Sequence, residues 1–181
     1  KNGNGFIKEY NSTGNLIYEG EYYNGERNGK GKEYNEFDGK LIFEGEYLKG
    51  KRWNGIFQKG SKINDGKGYI KEPGFEGAYL NGEINGKGKK YYDKDNKNIK
   101  FEGNYLNGER NGKGKEYNWE EGKLIFEGEY LNGKKNGKGK EYYNNNNVKF
   151  EGEYLFDNKI KGKEYDKDNK YIFEGEYLYG K

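Results

Sequence analysis

The stretch from Phe101 to Tyr117, FEGNYLNGERNGKGKEY, decides the fold. Phe101, Gly103 and Tyr105 alternate with Glu102, Asn104 and Leu106, the period of two that marks a β-strand. Asn107-Gly108-Glu109-Arg110-Asn111-Gly112 follows, and because Asn and Gly tolerate positive φ this stretch reads as a turn. Alternation resumes at Lys113-Gly114-Lys115-Glu116-Tyr117, which reads as the return strand. The unit is therefore strand, turn, strand.

The same unit recurs along the chain. Close copies begin at Tyr18, Phe75 and Phe126, weaker ones at Phe43 and Phe150, and a partial copy at Phe173. The Phe150 copy has a loop one residue shorter and lacks its glycines (FDNKIKGKEY). The opening GNGFIKEY, from Gly3 to Tyr10, matches GKGYIKE from Gly66 to Glu72, so residues 1–17 read as a half repeat and 173–181 as a partial one. Because the chain begins with Lys1 in mid-pattern, it is expected to be a piece of a longer protein. The interval from Trp53 to Gly74 departs most, and reads as a degenerate extra hairpin starting at Trp53, with a turn at Glu72-Pro73-Gly74. No segment carries a sustained helical period.

Composition agrees with a thin structure. Only 30% of the 181 residues are apolar, while aromatics make up 18% and include 20 tyrosines. There is too little aliphatic material for a thick core, but each aromatic ring buries roughly 150–250 Å². Consecutive hairpins are predicted to pair antiparallel into one continuous meander of roughly 14 strands, about two per repeat. The expected fold is thus all-β: an elongated, single-layer antiparallel sheet built as a solenoid of tandem hairpins over residues 1–181, with repeats from 18, 43, 75, 101, 126 and 150 and an irregular stretch at 53–74. One face should carry Tyr22, Tyr47, Tyr79, Tyr105, Tyr130, Tyr154 and Tyr177, with Tyr18, Phe43, Phe75, Phe101, Phe126, Phe150 and Phe173 beside them. The glycine between each pair of rings, such as Gly103, lets a ring lie flat against backbone.

At these residues the chain resembles the MORN repeat family. The family pattern (aromatic, any residue, Gly, any residue, aromatic, then Gly, then Gly-x-Gly) is written as Tyr18-Glu19-Gly20-Glu21-Tyr22, Gly25 and Gly29-Lys30-Gly31. Tyrosine stands where many members have tryptophan. The resemblance implies a twisted antiparallel sheet. It also implies roles in scaffolding, in membrane–cytoskeleton attachment and in protein assembly, with phosphoinositide binding proposed for some members.

Catalytic equipment is scarce. There is no histidine or cysteine, which removes the commonest general base, the commonest metal ligands and the thiol nucleophile. Ser12, Ser61 and Thr13 are the hydroxyl candidates, and no triad can be built from them. Carboxylate pairs such as Glu44/Glu46 recur in most repeats, as a solvated ladder would. Asp93-Lys94-Asp95-Asn96 and Asp166-Lys167-Asp168-Asn169 begin like calcium loops but lack the ligand at the twelfth position, and read as turns. Gly112-Lys113-Gly114 lacks the spacing and hydroxyl of a nucleotide loop. No catalytic, cofactor-binding or metal-binding residue is therefore predicted, and the chain is not expected to be an enzyme.

Two candidate surfaces remain. The tyrosine face is predicted to dock a protein partner or, with the sheet ends, to support self-association. A lysine ladder of Lys30, Lys32, Lys87, Lys89, Lys113, Lys115, Lys138 and Lys140 is a candidate contact for anionic lipid, the alternative function. Against it, an acidic ladder lies one strand away and the net charge is only +3, so cross-strand Glu–Lys pairing explains both ladders without a ligand. Nucleic acid is disfavoured for the same reason, and sugar or choline binding is weaker still with two tryptophans. The expected location is cytoplasmic, with association to a membrane or the cytoskeleton as an option.

Overall fold

The computed structural model describes residues 3–177. Among them there is no helix. The strands are β1 (Gly5–Tyr10), β2 (Leu16–Tyr23), β3 (Glu26–Tyr34), β4 (Leu41–Leu48), β5 (Lys51–Phe57), β6 (Lys62–Ile63), β7 (Gly68–Glu72) and β8 (Phe75–Leu80). They continue with β9 (Glu83–Tyr91), β10 (Ile99–Leu106), β11 (Glu109–Tyr117), β12 (Leu124–Leu131), β13 (Lys134–Tyr142), β14 (Val148–Leu155), β15 (Asn158–Tyr165) and β16 (Tyr171–Glu176). The ends of the opening half repeat (residues 1 and 2) and of the closing partial repeat (178–181) lie outside the described residues.

The expected single meander is two antiparallel sheets. β1 to β6 form one in chain order, and β7 to β16 form the other. The chain divides into two units, residues 3–72 with 76–84 and residues 73–75 with 85–177. The break between the two sheets follows from the irregular stretch. Trp53 does not open an extra hairpin: it lies inside β5, the return strand that pairs with β4 through Tyr47↔Arg52 and Gly45↔Gly55. β6 then has only two residues, paired Gly55↔Ile63 and Ile56↔Lys62, and the chain turns through Asp65 and Gly66 at positive φ. Two residues cannot template a full neighbour, so the first ladder stops there.

The hairpin turns are tighter than the alternation suggested. Asn107 and Gly108, at φ 51° and 84°, complete the reversal alone, and β11 starts at Glu109. Two consecutive residues with positive φ match the twist of antiparallel strands. The second Asn-Gly, Asn111-Gly112, lies inside the return strand, with Gly112 at φ 86°. There the register slips from Tyr105↔Arg110 to Gly103↔Gly114, so the extra residues are accommodated as a bulge. In the Phe43 and Phe150 copies this bulge is one residue shorter, as Tyr47↔Arg52 with Gly45↔Gly55 and Tyr154↔Lys159 with Gly152↔Gly162 show.

Two turns depart from Asn-Gly: Lys49 replaces the Asn in one, at φ 50°, and the other lacks both residues. Phe156 and Asp157 occupy the Asn-Gly positions at φ 47° and 73°. Asp157 is supported: its N–H donates to the Lys135 carbonyl at 2.9 Å, and its carboxylate accepts from the Lys135 N–H at 2.8 Å. Phe156 keeps a Cβ in left-handed backbone with no such side-chain support. Since that conformation costs a residue other than Gly, Asn or Asp about 1–2 kcal/mol, Phe156→Asn is expected to stabilise the chain by about 1 kcal/mol. A rise of several degrees in the thermal midpoint is the expected readout; an unchanged or lower midpoint rejects it.

The interior of each unit is a chain of rings. In the first, Tyr18, Phe43, Tyr47, Phe57, Ile63, Ile70 and Tyr79 are buried; in the second, Phe75, Phe101, Tyr105, Phe126, Tyr130, Phe150 and Tyr154. The second zigzags edge to face, from Phe101–Tyr130 at 5.2 Å through Phe126–Tyr130 at 5.6 Å and Phe126–Tyr154 at 5.4 Å to Phe150–Tyr154 at 5.3 Å. Each contact of this kind contributes about 0.5–1.5 kcal/mol beyond burial. The rings reach that packing because Gly128 and Gly139 pair across β12 and β13 beneath Phe126. A Cβ on Gly128 would lie 2.7 Å from Phe126 Cζ and 2.7 Å from Gly139 Cα.

Candidate functional site

Five of the seven tyrosines expected to form a docking face, Tyr47, Tyr79, Tyr105, Tyr130 and Tyr154, are buried, while Tyr22 and Tyr177 are half-buried. These rings are the packing interior and leave little surface to a partner. The reason is the glycine between each pair: the ring folds down over the backbone instead of standing out to solvent.

The same face carries a charge ladder that the sequence reading did not single out. In the first unit Arg27 bonds Glu9 through Nε and Nη2, both at 2.8 Å, and lies 3.8 Å from Glu33. Arg52 bonds Glu33 at 3.0 and 2.9 Å and Glu72 at 3.0 Å. The tyrosine hydroxyls complete the row: Tyr22 donates to Glu9, Tyr47 to Glu33 at 3.1 Å and Tyr79 to Glu72 at 2.9 Å. In the second unit Arg110 pairs with Glu116, Lys135 lies 3.9 Å from Glu116 and 3.8 Å from Glu141, and Lys159 lies 3.4 Å from Glu141 and 3.1 Å from Glu164.

Each cation also caps a ring. Arg27 stands 4.1 Å from the Tyr18 centroid, Arg110 4.3 Å from Phe101, Lys135 4.1 Å from Phe126 and Lys159 4.2 Å from Phe150. The ladder is the lid of the aromatic layer, with carboxylate and cation alternating over it.

Electrostatics follow from this packing. Burial alone would raise the Glu33 carboxyl, but the hydrogen bond and charge of Arg52 and the charge of Arg27 outweigh it and hold it below the usual carboxylate range. Burial pushes the Tyr18 hydroxyl up to about 12 against the opposing charge of Arg27, and pushes Tyr105 to about 12. Tyr47, Tyr79, Tyr130 and Tyr154 are raised further, first by burial and next by a ladder carboxylate. A hydroxyl that ionises less readily in the folded chain contributes stability that is complete below its unfolded value near pH 10 and is lost as pH rises through its folded value. The urea midpoint is therefore expected to hold through pH 9 and to fall steeply above pH 10; a midpoint unchanged to pH 12 rejects the buried-hydroxyl ladder.

The lysine ladder lies on the opposite face among carboxylates. Lys32 pairs with Glu44 at 3.2 Å, Lys89 with Glu102 at 3.9 Å, Lys115 with Glu127 at 3.7 Å and Lys140 with Glu151 at 3.0 Å. The backbone N–H groups of Lys30 and Lys138 donate to Glu21 and Glu129, both at 3.1 Å. Lys87 faces Asn104 and Lys113 faces Glu129 across the strands, with exposed side chains. Exposed pairs of this kind contribute at most about 1 kcal/mol each.

The two Asp-rich segments are turns. Asp93 accepts from the N–H groups of Lys97 and Asn98, and Asp166 from those of Asp168 and Lys170. Among the described residues no three acidic side chains converge on a metal position. A cleft of about 480 Å³ is lined by Tyr142, Tyr143, Asn144, Asn145, Lys149 and Lys167.

The hairpins, their bulges and their ringed interior fall where the MORN repeat model matches the sequence, at residues 18–35, 75–97, 101–119 and 126–148. The chain is a MORN-repeat protein. The MORN matches cover the copies from Tyr18, Phe75, Phe101 and Phe126, while the two copies with the shortened bulge, from Phe43 and Phe150, lie outside them. No curated protein matches the sequence.

One MORN copy breaks the ladder. In the repeat from Phe75, Ile84 stands in the sequence where Arg27 and Arg110 stand in theirs, and Lys90 where Glu33 and Glu116 stand. The register confirms the second equivalence: Lys90 pairs with Phe101 as Glu116 pairs with Phe126.

Proposed function

We propose that this MORN array is a non-catalytic scaffold that binds protein partners. The observation that carries the reading is a row of half-exposed leucines at one position of the repeat, the residue before the turn. Leu48 and Leu80 occupy it in the first unit and Leu106, Leu131 and Leu155 in the second, with exposures of 39–49%. Each follows a buried tyrosine and so points to the face away from the rings. Within the second unit these leucines recur every second strand, at intervals of about 10 Å. Apolar side chains in register on a polar surface mark an interaction site more than scattered ones do. The absence of histidine and cysteine supports a non-catalytic role.

Lipid binding has weaker support, since the lysines that would carry it face carboxylates. The test is affinity capture of partners by the full chain and by the triple variant Leu106→Ser, Leu131→Ser, Leu155→Ser, alongside light scattering against concentration. The expected result is loss of the captured proteins with an unchanged melting midpoint. Equal capture by both forms, or a chain that stays monomeric and captures nothing, overturns the reading. Co-sedimentation with phosphoinositide vesicles in place of protein capture would establish the lipid alternative.

A further inference from the structure

The break in the ladder leaves one ring hydroxyl of the second unit without a facing carboxylate. Tyr105 is 7% exposed, and its hydroxyl has no hydrogen-bond partner. The hydroxyls of Tyr130, Tyr154 and Tyr177 also fall outside hydrogen-bonding geometry. Each of those, however, is acted on by a ladder carboxylate, Glu116, Glu141 or Glu164 respectively. The charge acting on Tyr105 is the Arg110 guanidinium, its partner across the hairpin. Arg27 contacts Glu9 of β1, the preceding return strand, and Glu33 of its own strand; Arg52 contacts Glu33 of β3, the preceding return strand, and Glu72 of β7. Arg110 contacts Glu116, and the position that would supply its second carboxylate is Lys90, whose side chain is exposed.

We infer that Tyr105 and Arg110 form a recognition subsite for a single carboxylate, filled by an acidic side chain of a bound protein. This rests on the scaffold reading above; because the subsite lies on the ring face, opposite the leucine row, it is a second contact of the array, made to a protein that presents an acidic side chain. The Tyr105 hydroxyl supplies one donor, and the Arg110 guanidinium has five in a planar fork that matches a carboxylate. Lys90 adds a cation at the mouth. The Arg110 side chain is 21% exposed, so an incoming group can reach it. A carboxylate fits better than a phosphate, because Glu116 already shares Arg110 and a doubly charged group would meet its repulsion at close range. The subsite is the place where the protein's own glutamate stands in the other repeats.

The experiment titrates the isotope-labelled chain with triglutamate and with triglutamine, following the Arg110 Nε–Hε and Tyr105 ring resonances. Saturable shifts with triglutamate, at least tenfold weaker with triglutamine, are expected. Lys90→Glu places an internal carboxylate in the subsite; it should cut triglutamate binding at least tenfold and raise the melting midpoint. Tyr105→Phe should weaken binding without the rise. Equal response to both peptides, or equal binding by Lys90→Glu, overturns the subsite. Sedimentation with phosphatidylserine vesicles that Lys90→Glu abolishes, without a triglutamate response, also overturns it and reassigns the position to lipid. Failure of the subsite with partner capture intact leaves the scaffold reading standing, whereas failure to capture any protein removes that reading itself.

Discussion

Gly128→Ala is expected to destabilise the chain by about 3 kcal/mol, a cost at the upper end for adding one carbon to a packed interior. The position is crowded without being strained: the added Cβ would meet Phe126 Cζ, Gly139 Cα and the Lys138 carbonyl oxygen, each at 2.7 Å. Two of those three atoms are backbone of the neighbouring strand, which cannot step aside without opening the ladder between β12 and β13. Gly122→Ala provides the contrast. Gly122 has φ 63° and open space around it, so its cost is conformational alone, about 1 kcal/mol. Adding Phe126→Leu to Gly128→Ala should recover only part of the loss, because the backbone contacts remain. Urea unfolding of the three variants measures this, and a Gly128→Ala cost no larger than that of Gly122→Ala would refute ring-on-glycine packing.

Arg52→Gln is expected to cost about 3 kcal/mol, the lower end for removing one partner from a buried ion pair. Its side chain is 17% exposed, and it serves Glu33 and Glu72 at once while standing 5.0 Å from the Phe57 ring. Removing it leaves two part-buried carboxylates short of a cation. The pH dependence gives a second readout. Glu33 is held below its unfolded value, so its contribution is present above about pH 4.5 and is lost as pH falls through its folded value. In Arg52→Gln the largest lowering influence is removed while Arg27 and the Tyr47 hydroxyl remain, and the loss of stability on acidification should flatten. Glu33→Gln with Arg52→Gln should cost less than the sum of the two alone, because the second change removes a charge the first has stranded. Strict additivity would mean the residues do not act as one network.

How much of this was legible in the sequence depends on spacing. The alternation of Phe101, Gly103 and Tyr105 marked the strand and the glycine that receives the ring, and both appear as read. The second Asn-Gly was read as turn because Asn and Gly signal positive φ without saying whether the chain reverses there. In Asn107-Gly108 it does; in Asn111-Gly112 the same local geometry serves a bulge. Reading that segment as loop hid the ladder, since it took Arg110 out of the alternation. Counted as strand, Arg110, Gly114 and Glu116 share one parity, and a basic residue there in most copies was an available signal. The burial of the tyrosines was less accessible: alternation assigns a face, and only the fold of each ring onto its glycine says whether that face is open. The split into two sheets turns on the length of β6, which composition does not reveal.

The alternation of cation and carboxylate over the rings bears on how such an array can grow. A duplicated copy such as the one from Phe126 brings one positive and one negative group to the interior, Lys135 and Glu141, so lengthening adds no net charge where screening by water is poor. Copy number is then electrostatically neutral, and a unit can be gained or lost in evolution without the neighbouring units having to change.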